Sequence, residues 1–322
     1  MNMINFLKNL FMRNYIIGSF TTDESYQTIN IINDLSDVYQ ILIDDRIQPK
    51  FKKDFTINNI GKHTFKIVFK RKVKYARELF YDCDLDVIDL TNFISDELVT
   101  TKSMFNNCVF LENIIFPPTF NTSKVTNMDS MFYDCVTLKK LNIEMFDFKN
   151  VVNTSHMFHN CYECEYIKFN NNIDVSNVMD MSHMFTSCHK LKRAVLKNWH
   201  TNSLIYINDM FSYCEELELV DLTNFNTDNV VNFNNLFYYC GKLKYIIFPN
   251  FNINNSPNQK RILTFTDLKL VDFTNIKVKF YTLMDEINFT APLKNVKNIK
   301  MRLNKDNINL YKHIKNIRYV EN

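Results

Sequence analysis

The stretch VTNMDSMFYDCVTLKKLNI, residues 125–143, carries two apolar rhythms in succession, and the change between them falls at Cys135. Before the cysteine, Val125, Met128, Met131 and Phe132 recur at intervals of three and four, the spacing that places side chains on one face of a helix. After it, Leu138, Leu141 and Ile143 end in the two-residue alternation of a strand with one buried face. The stretch therefore predicts a short helix followed by a short strand. Ser123 just upstream, like Ser176 and Asp228 at equivalent places further on, is a candidate N-cap whose oxygen would accept from the first helical amides.

The same pattern recurs along the chain. Cys83, Cys108, Cys135, Cys161, Cys188, Cys214 and Cys240 follow one another at 25, 27, 26, 27, 26 and 26 residues. Phenylalanine stands three residues before each of them, Met or Leu four before, and Val or Leu ten before. Apolar residues follow three, six and eight positions on, as in Leu191, Ala194 and Leu196, then Leu217, Val220 and Leu222, then Leu243, Ile246 and Phe248. A degenerate eighth copy has Phe265 in the cysteine position, before Leu268, Val271, Phe273 and Ile276.

One helix with one short strand cannot bury its apolar face alone, whereas stacked copies share a continuous core and a parallel sheet. The expected class is therefore α/β: a leucine-rich-repeat-like solenoid of about eight coils, each with a short helix and a short parallel strand. The sheet would extend roughly 35 to 40 Å at the ~4.8 Å spacing of strands. Residues 1–60 read as an N-terminal cap, 61–276 as the solenoid, and 277–322 as degenerate repeats and a C-terminal cap. HTFKIVFKRKV, residues 63–73, reads as the strand of a leading coil; Ile299 and Met301, then Ile314, Ile317 and Tyr319, could supply closing strands.

The recurring MF-x-x-C-x-x-L-x-x-L/I string, clearest at 125–143 and present over about residues 65 to 276, resembles the BspA-like class of leucine-rich repeats. The resemblance implies an adhesion or recognition module. Thr101 and Thr154 depart from the pattern, replacing the usual apolar residue seven before the cysteine.

Composition narrows the function. A net charge of +3, from 38 basic and 35 acidic residues, is too balanced to imply nucleic-acid binding. With three glycines and no GxGxxG or P-loop string, a phosphate cradle is not expected, nor is a cofactor. Lys8, Asn9, Arg13 and Asn14 interrupt the apolar start of the chain, so a cleaved secretion signal is not expected, and no run approaches a membrane span. Seven of the eight cysteines hold one position per coil and read as buried free thiols of a reducing, cytoplasmic compartment. Cys164 completes a CxxC with Cys161 but stands where other coils carry leucine, so it reads as core. His156 and His183 would stack in adjacent coils, yet a third ligand at metal-binding spacing is missing and no metal site is expected.

The outward sheet face falls at residues five, seven and nine after each cysteine. Lys140, Tyr166, Lys168, Arg193, Val195, Lys197, Tyr245 and Ile247 gather there as a mixed basic, aromatic and apolar strip, a candidate surface for an acidic protein partner. No Ser-His-Asp, paired-carboxylate or similar catalytic set assembles, so the expected function is a non-catalytic binding scaffold. The alternative is a cell-surface adhesin for glycan or extracellular matrix.

Overall fold

The structure is a computed structural model and describes residues 14–48, 52–252, 255, 262, 269–272, 299–302 and 317–320. An antiparallel cap comes first. β1 (Tyr15–Thr22) pairs along its length with β6 (Gly61–Phe69), and β3 (Val38–Ile43) lies on the far side of β6 with β4 (Arg46–Ile47) beyond it. β2 (Gln27–Asn30) pairs with β5 (Asp54–Ile57). The segment 63–69 thus belongs to the cap, not to a leading coil. β1 also pairs antiparallel with β7 (Val87–Asp89), the first strand of the repeats, and so covers an edge that would otherwise be open. Gly18 permits this approach: a Cβ there would collide with the Val87 carbonyl oxygen and the Phe65 ring.

From β7 onward each coil contributes one three-residue strand: β8 (Asn113–Ile115), β9 (Lys140–Asn142), β10 (Tyr166–Lys168), β11 (Arg193–Val195), β12 (Leu219–Asp221), β13 (Tyr245–Ile247) and β14 (Leu270–Asp272). The middle residue is buried in all eight, and in β8 to β11 both flanking residues are exposed. β15 (Ile299–Arg302) and β16 (Ile317–Val320) extend the parallel series, matching the expected closing strands except for Ile314, which lies outside the described residues. Phe265, Leu268, Phe273 and Ile276 of the eighth coil also lie outside them.

The expected helices are not formed. Among the described residues no helix occurs, and the molecule is a solenoid of strands and turns rather than an α/β one. The reason is a left-handed residue at every fourth position of the pre-cysteine segment: five and one before the cysteine, φ is 53° and 62° at Ser103 and Asn107, and 56° at both Ser130 and Asp134. A right-handed helix cannot pass through such a residue. The chain instead makes successive turns, in which Met104 N–H donates to Thr101 and Cys108 N–H to Phe105 in the same coil. The intervening Thr101, Ser103, Phe105 and Asn107 amides donate across to Asn127, Asp129, Met131 and Tyr133 of the next coil. Turns of three and four residues bring in the same positions that a helix would. Nor do Ser123, Ser176 and Asp228 cap anything: their own amides donate to the side chains of Asn121, Asp174 and Asn226, two residues before them.

The core runs unbroken through the stack. Phe80, Phe105, Phe132, Phe158, Phe185, Phe211 and Phe237 form one column of parallel rings with centroids 5.4 to 5.6 Å apart. Each ring therefore packs on its neighbours in the next coils and not only within its own. The cysteines seal the column: Cys108, Cys135, Cys161, Cys188, Cys214 and Cys240 each donate an S–H to the carbonyl of the phenylalanine one coil back, at 2.9 to 3.2 Å. All eight cysteines are free and buried, and burial pushes the Cys108 and Cys214 thiols up to about 12.

Candidate functional site

The outward residues fall where the spacing from the cysteine puts them, except after Cys83, where the strand comes one residue earlier and Ile88 and Leu90 are buried. Lys140 lies beside Tyr166 and Asn142 beside Lys168 on β9 and β10; Leu219 joins Arg193 to Tyr245, and Asp221 joins Val195 to Ile247, across β11, β12 and β13. The sheet is not continuous, however. β8 does not pair with β9, nor β10 with β11, so the expected single sheet is divided.

Both gaps lie at intervals of 27 residues, from Cys108 to Cys135 and from Cys161 to Cys188. The extra residue follows the strand, within Pro117–Thr119 in one case and Asn170–Asn172 in the other, where the paired coils have one fewer. At paired junctions the residue after the strand donates to the next coil, as Leu196 does to Asp221 at 2.8 Å, and the residue before the strand donates back, as Glu218 does to Lys192 at 2.9 Å. At the β10/β11 gap the corresponding amides of Phe169 and Lys192 make no such bond among the described residues. Phe116 and Phe169 also replace the aliphatic Ile143, Leu196 and Leu222 after the strand. The ring alone does not open the ladder, because Phe248 in the same position still donates to Asp272 at 2.9 Å.

The two gaps differ in what fills them. At β8/β9, Phe116 is buried among Phe105, Phe120, Phe132 and Phe146, with centroids 4.8 to 6.4 Å away. At β10/β11, Phe169 is only half-buried, and a cleft of about 460 Å³ opens to the surface. Phe169, Phe185, Leu191 and Trp199 line it, while Lys192, Arg193 and Lys197 are exposed on its rim with Glu165. The gap is closed at both ends: Lys190 N–H donates to Tyr162 at 3.1 Å, and Asn198 Nδ2 to the Asn171 carbonyl at 2.8 Å.

Of the residues picked out in the sequence, Tyr166, Arg193, Val195 and Lys197 line this cleft. Lys140 and Lys168 stand on the β9–β10 side of it, and Lys168 already meets the Glu144 carboxylate at 2.6 Å, a hydrogen bond that raises its pKa. Lys140, Arg193 and Lys197 take part in no ion pair among the described residues, so their charges remain available. Tyr245 and Ile247 lie two coils away on β13 and do not reach the cleft. The residues the sequence reading passed over are the apolar lining, Phe169, Leu191 and Trp199, each of which looks like ordinary core in its own repeat. The longer interval was the visible signal.

The repeat matches a family model, Mycoplasma protein of unknown function, DUF285, over residues 74–173 and 162–275. The chain belongs to the DUF285 family. Its matched region is the stack of coils that carries both gaps, and the antiparallel cap lies ahead of it. Among curated proteins, none matches this DUF285 chain. No helix among its described residues is long and apolar enough to cross a membrane.

Proposed function

We propose that this DUF285 chain is a non-catalytic repeat scaffold that binds an acidic protein segment through the exposed face of its parallel sheet, anchored in the β10/β11 cleft. The observation that carries the reading is the coincidence of the cleft with the basic strip: an apolar lining of Phe169, Leu191 and Trp199 lies beside the unpaired charges of Arg193 and Lys197. An apolar side chain of the partner would be desolvated inside, where most binding energy of an interface concentrates, while neighbouring acidic groups met the rim. The resemblance of the repeat to the BspA-like class, whose members look like recognition modules, supports the same reading. The eight free, buried thiols support a reducing, intracellular setting, and the balanced charge supports a protein over a nucleic acid.

Trp199 is the only tryptophan in the chain and reports on the cleft directly. In a panel of acidic peptides, those carrying one aromatic residue should bind and change Trp199 emission. Reversing Arg193 and Lys197 to Glu should weaken them about ten-fold or more at low salt. Peptides that bind equally well to the reversed protein, without a change in emission, would place the binding surface elsewhere on the solenoid.

A further inference from the structure

Opposite the cleft, on the turn side of the same two coils, three imidazoles meet. His156 and His159 belong to the coil of Cys161 and His183 to the coil of Cys188. His156 and His183 stack with centroids 4.5 Å apart and an interplanar angle of 5°, and His159 lies 5.4 Å from the first and 6.2 Å from the second. One ring nitrogen from each falls within 4.8 Å of the other two. We propose that His156, His159 and His183 form a binding site for a divalent transition metal of the zinc class, shared between adjacent coils.

Three observations support the site beyond proximity. The Nδ1 atoms of His156 and His159 are buried and have no hydrogen-bond partner, an arrangement that costs free energy unless something fills it. Burial lowers the pKa of His156, and that of His159 to about 4, which favours the neutral ring that a metal ligand needs. Carboxylates lie nearby: His183 Nε2 stands 3.8 Å from Asp209, and Asp129 and Asp180 act electrostatically on His156, while the Asn208 amide Nδ2 lies 3.2 Å from His183 Nε2. Three histidines with a fourth position left to water is an established zinc geometry. Zinc–nitrogen bonds of about 2.0 to 2.1 Å set ligand nitrogens roughly 3.3 Å apart, and because each lone pair lies in its ring plane, the stacked His156 and His183 rings must tilt out of parallel to share one ion.

His156 and His183 share the position five before the cysteine, where φ is 56° and 57°, so coil stacking brings them face to face. His159 sits two before the cysteine and completes the set, the third ligand that the repeat register had hidden. A metal here would tie the two coils on the side opposite their open strand edges and hold the turn side fixed while the cleft opens.

The test is titration of the untagged, chelator-treated full chain with Co²⁺, read by visible absorption. One equivalent should bind with the bands of a tetrahedral nitrogen site and without the near-ultraviolet charge-transfer band that cysteine ligands would add. His159→Gln and His183→Gln should each weaken Co²⁺ binding by about ten-fold or more, and His200→Gln should leave it unchanged. The melting temperature of the metal-free protein serves as the folding control for each variant, and two separate ligand variants guard against a loss caused by misfolding. No binding at equimolar Co²⁺, a thiolate band, or undiminished parent affinity in both ligand variants would overturn the site.

Discussion

The two sides of each coil respond differently to the same change in repeat length. On the turn side, bridges run without interruption from Tyr75 through Thr100, Asn127, Asn153, Asp180 and Tyr206 to Asn232. On the strand side, the ladder lapses at β8/β9 and again at β10/β11. The turn side admits no variation, because the left-handed residues, the phenylalanine column and the cysteine S–H bonds all depend on one register. The strand side is held by three residues per coil and by the bend that follows them, so a longer coil is absorbed there. Where that slack exposes apolar lining beside free charge, a binding site can arise without disturbing the core.

If this contrast is right, substitutions should be costly on the turn side and mild on the strand side. Phe211→Ala, stacked in the column between Phe185 and Phe237, should lower unfolding free energy in urea by about 3 to 5 kcal/mol. Phe169→Ala, on the half-buried cleft lining, should cost about 1 to 2 kcal/mol. Equal losses would remove the distinction between the sides.

The cysteine column sharpens the contrast through pH. Cys214 is buried and held up to about 12, whereas an unfolded thiol ionises near 9. Between those values the folded chain keeps a proton that the unfolded chain has lost, so stability falls as pH rises. Each such thiol contributes a slope of about 1.4 kcal/mol per pH unit. Cys214→Ala should make the fall in melting temperature above pH 9 shallower by that share; an unchanged alkaline slope would mean that the thiol is not sealed in the column.

Deleting Asn171 should shorten the Cys161–Cys188 interval from 27 to 26 residues and let β10 pair with β11. Two recovered backbone bonds would add about 1 to 3 kcal/mol, offset in part by the altered bend, and Trp199 emission should change as the cleft closes. A deletion that leaves emission and peptide binding as in the parent would separate interval length from the opening. The smallest effect belongs to the rim: Arg193→Glu with Lys197→Glu should move stability by less than about 0.5 kcal/mol while altering binding.

The sequence made the repeat period, the strands of the later coils and their outward columns legible, because a two-residue alternation at a fixed distance from the cysteine has one reading. The pre-cysteine segment was misread because buried positions at spacings of three and four fit a helix and a run of left-handed turns equally well. Asp82, Asn107, Asp134 and Asn160, in one position of the first four coils, were the distinguishing mark, since Asn and Asp accept positive φ more readily than other non-glycine residues; Ser187, Tyr213 and Tyr239 take the same conformation in the next three. The charged half of the site was visible as Arg193 and Lys197. Its apolar half was not, because Phe169 and Trp199 keep the repeat pattern and only the gap between strands leaves Phe169 half-exposed with the buried Trp199 behind it. His159 escaped notice because it lies outside the positions that recur.

Amide hydrogen exchange, residue by residue across β10 to β12, tests most directly whether repeat length opens the strand ladder. Leu196 and Glu218, whose amides donate to the neighbouring coil at 2.8 and 2.9 Å, should exchange slowly. Phe169 and Lys192, their counterparts at the 27-residue interval, should exchange at least about ten-fold faster and become protected when Asn171 is deleted. Equal protection at all four amides in the parent protein would contradict the account.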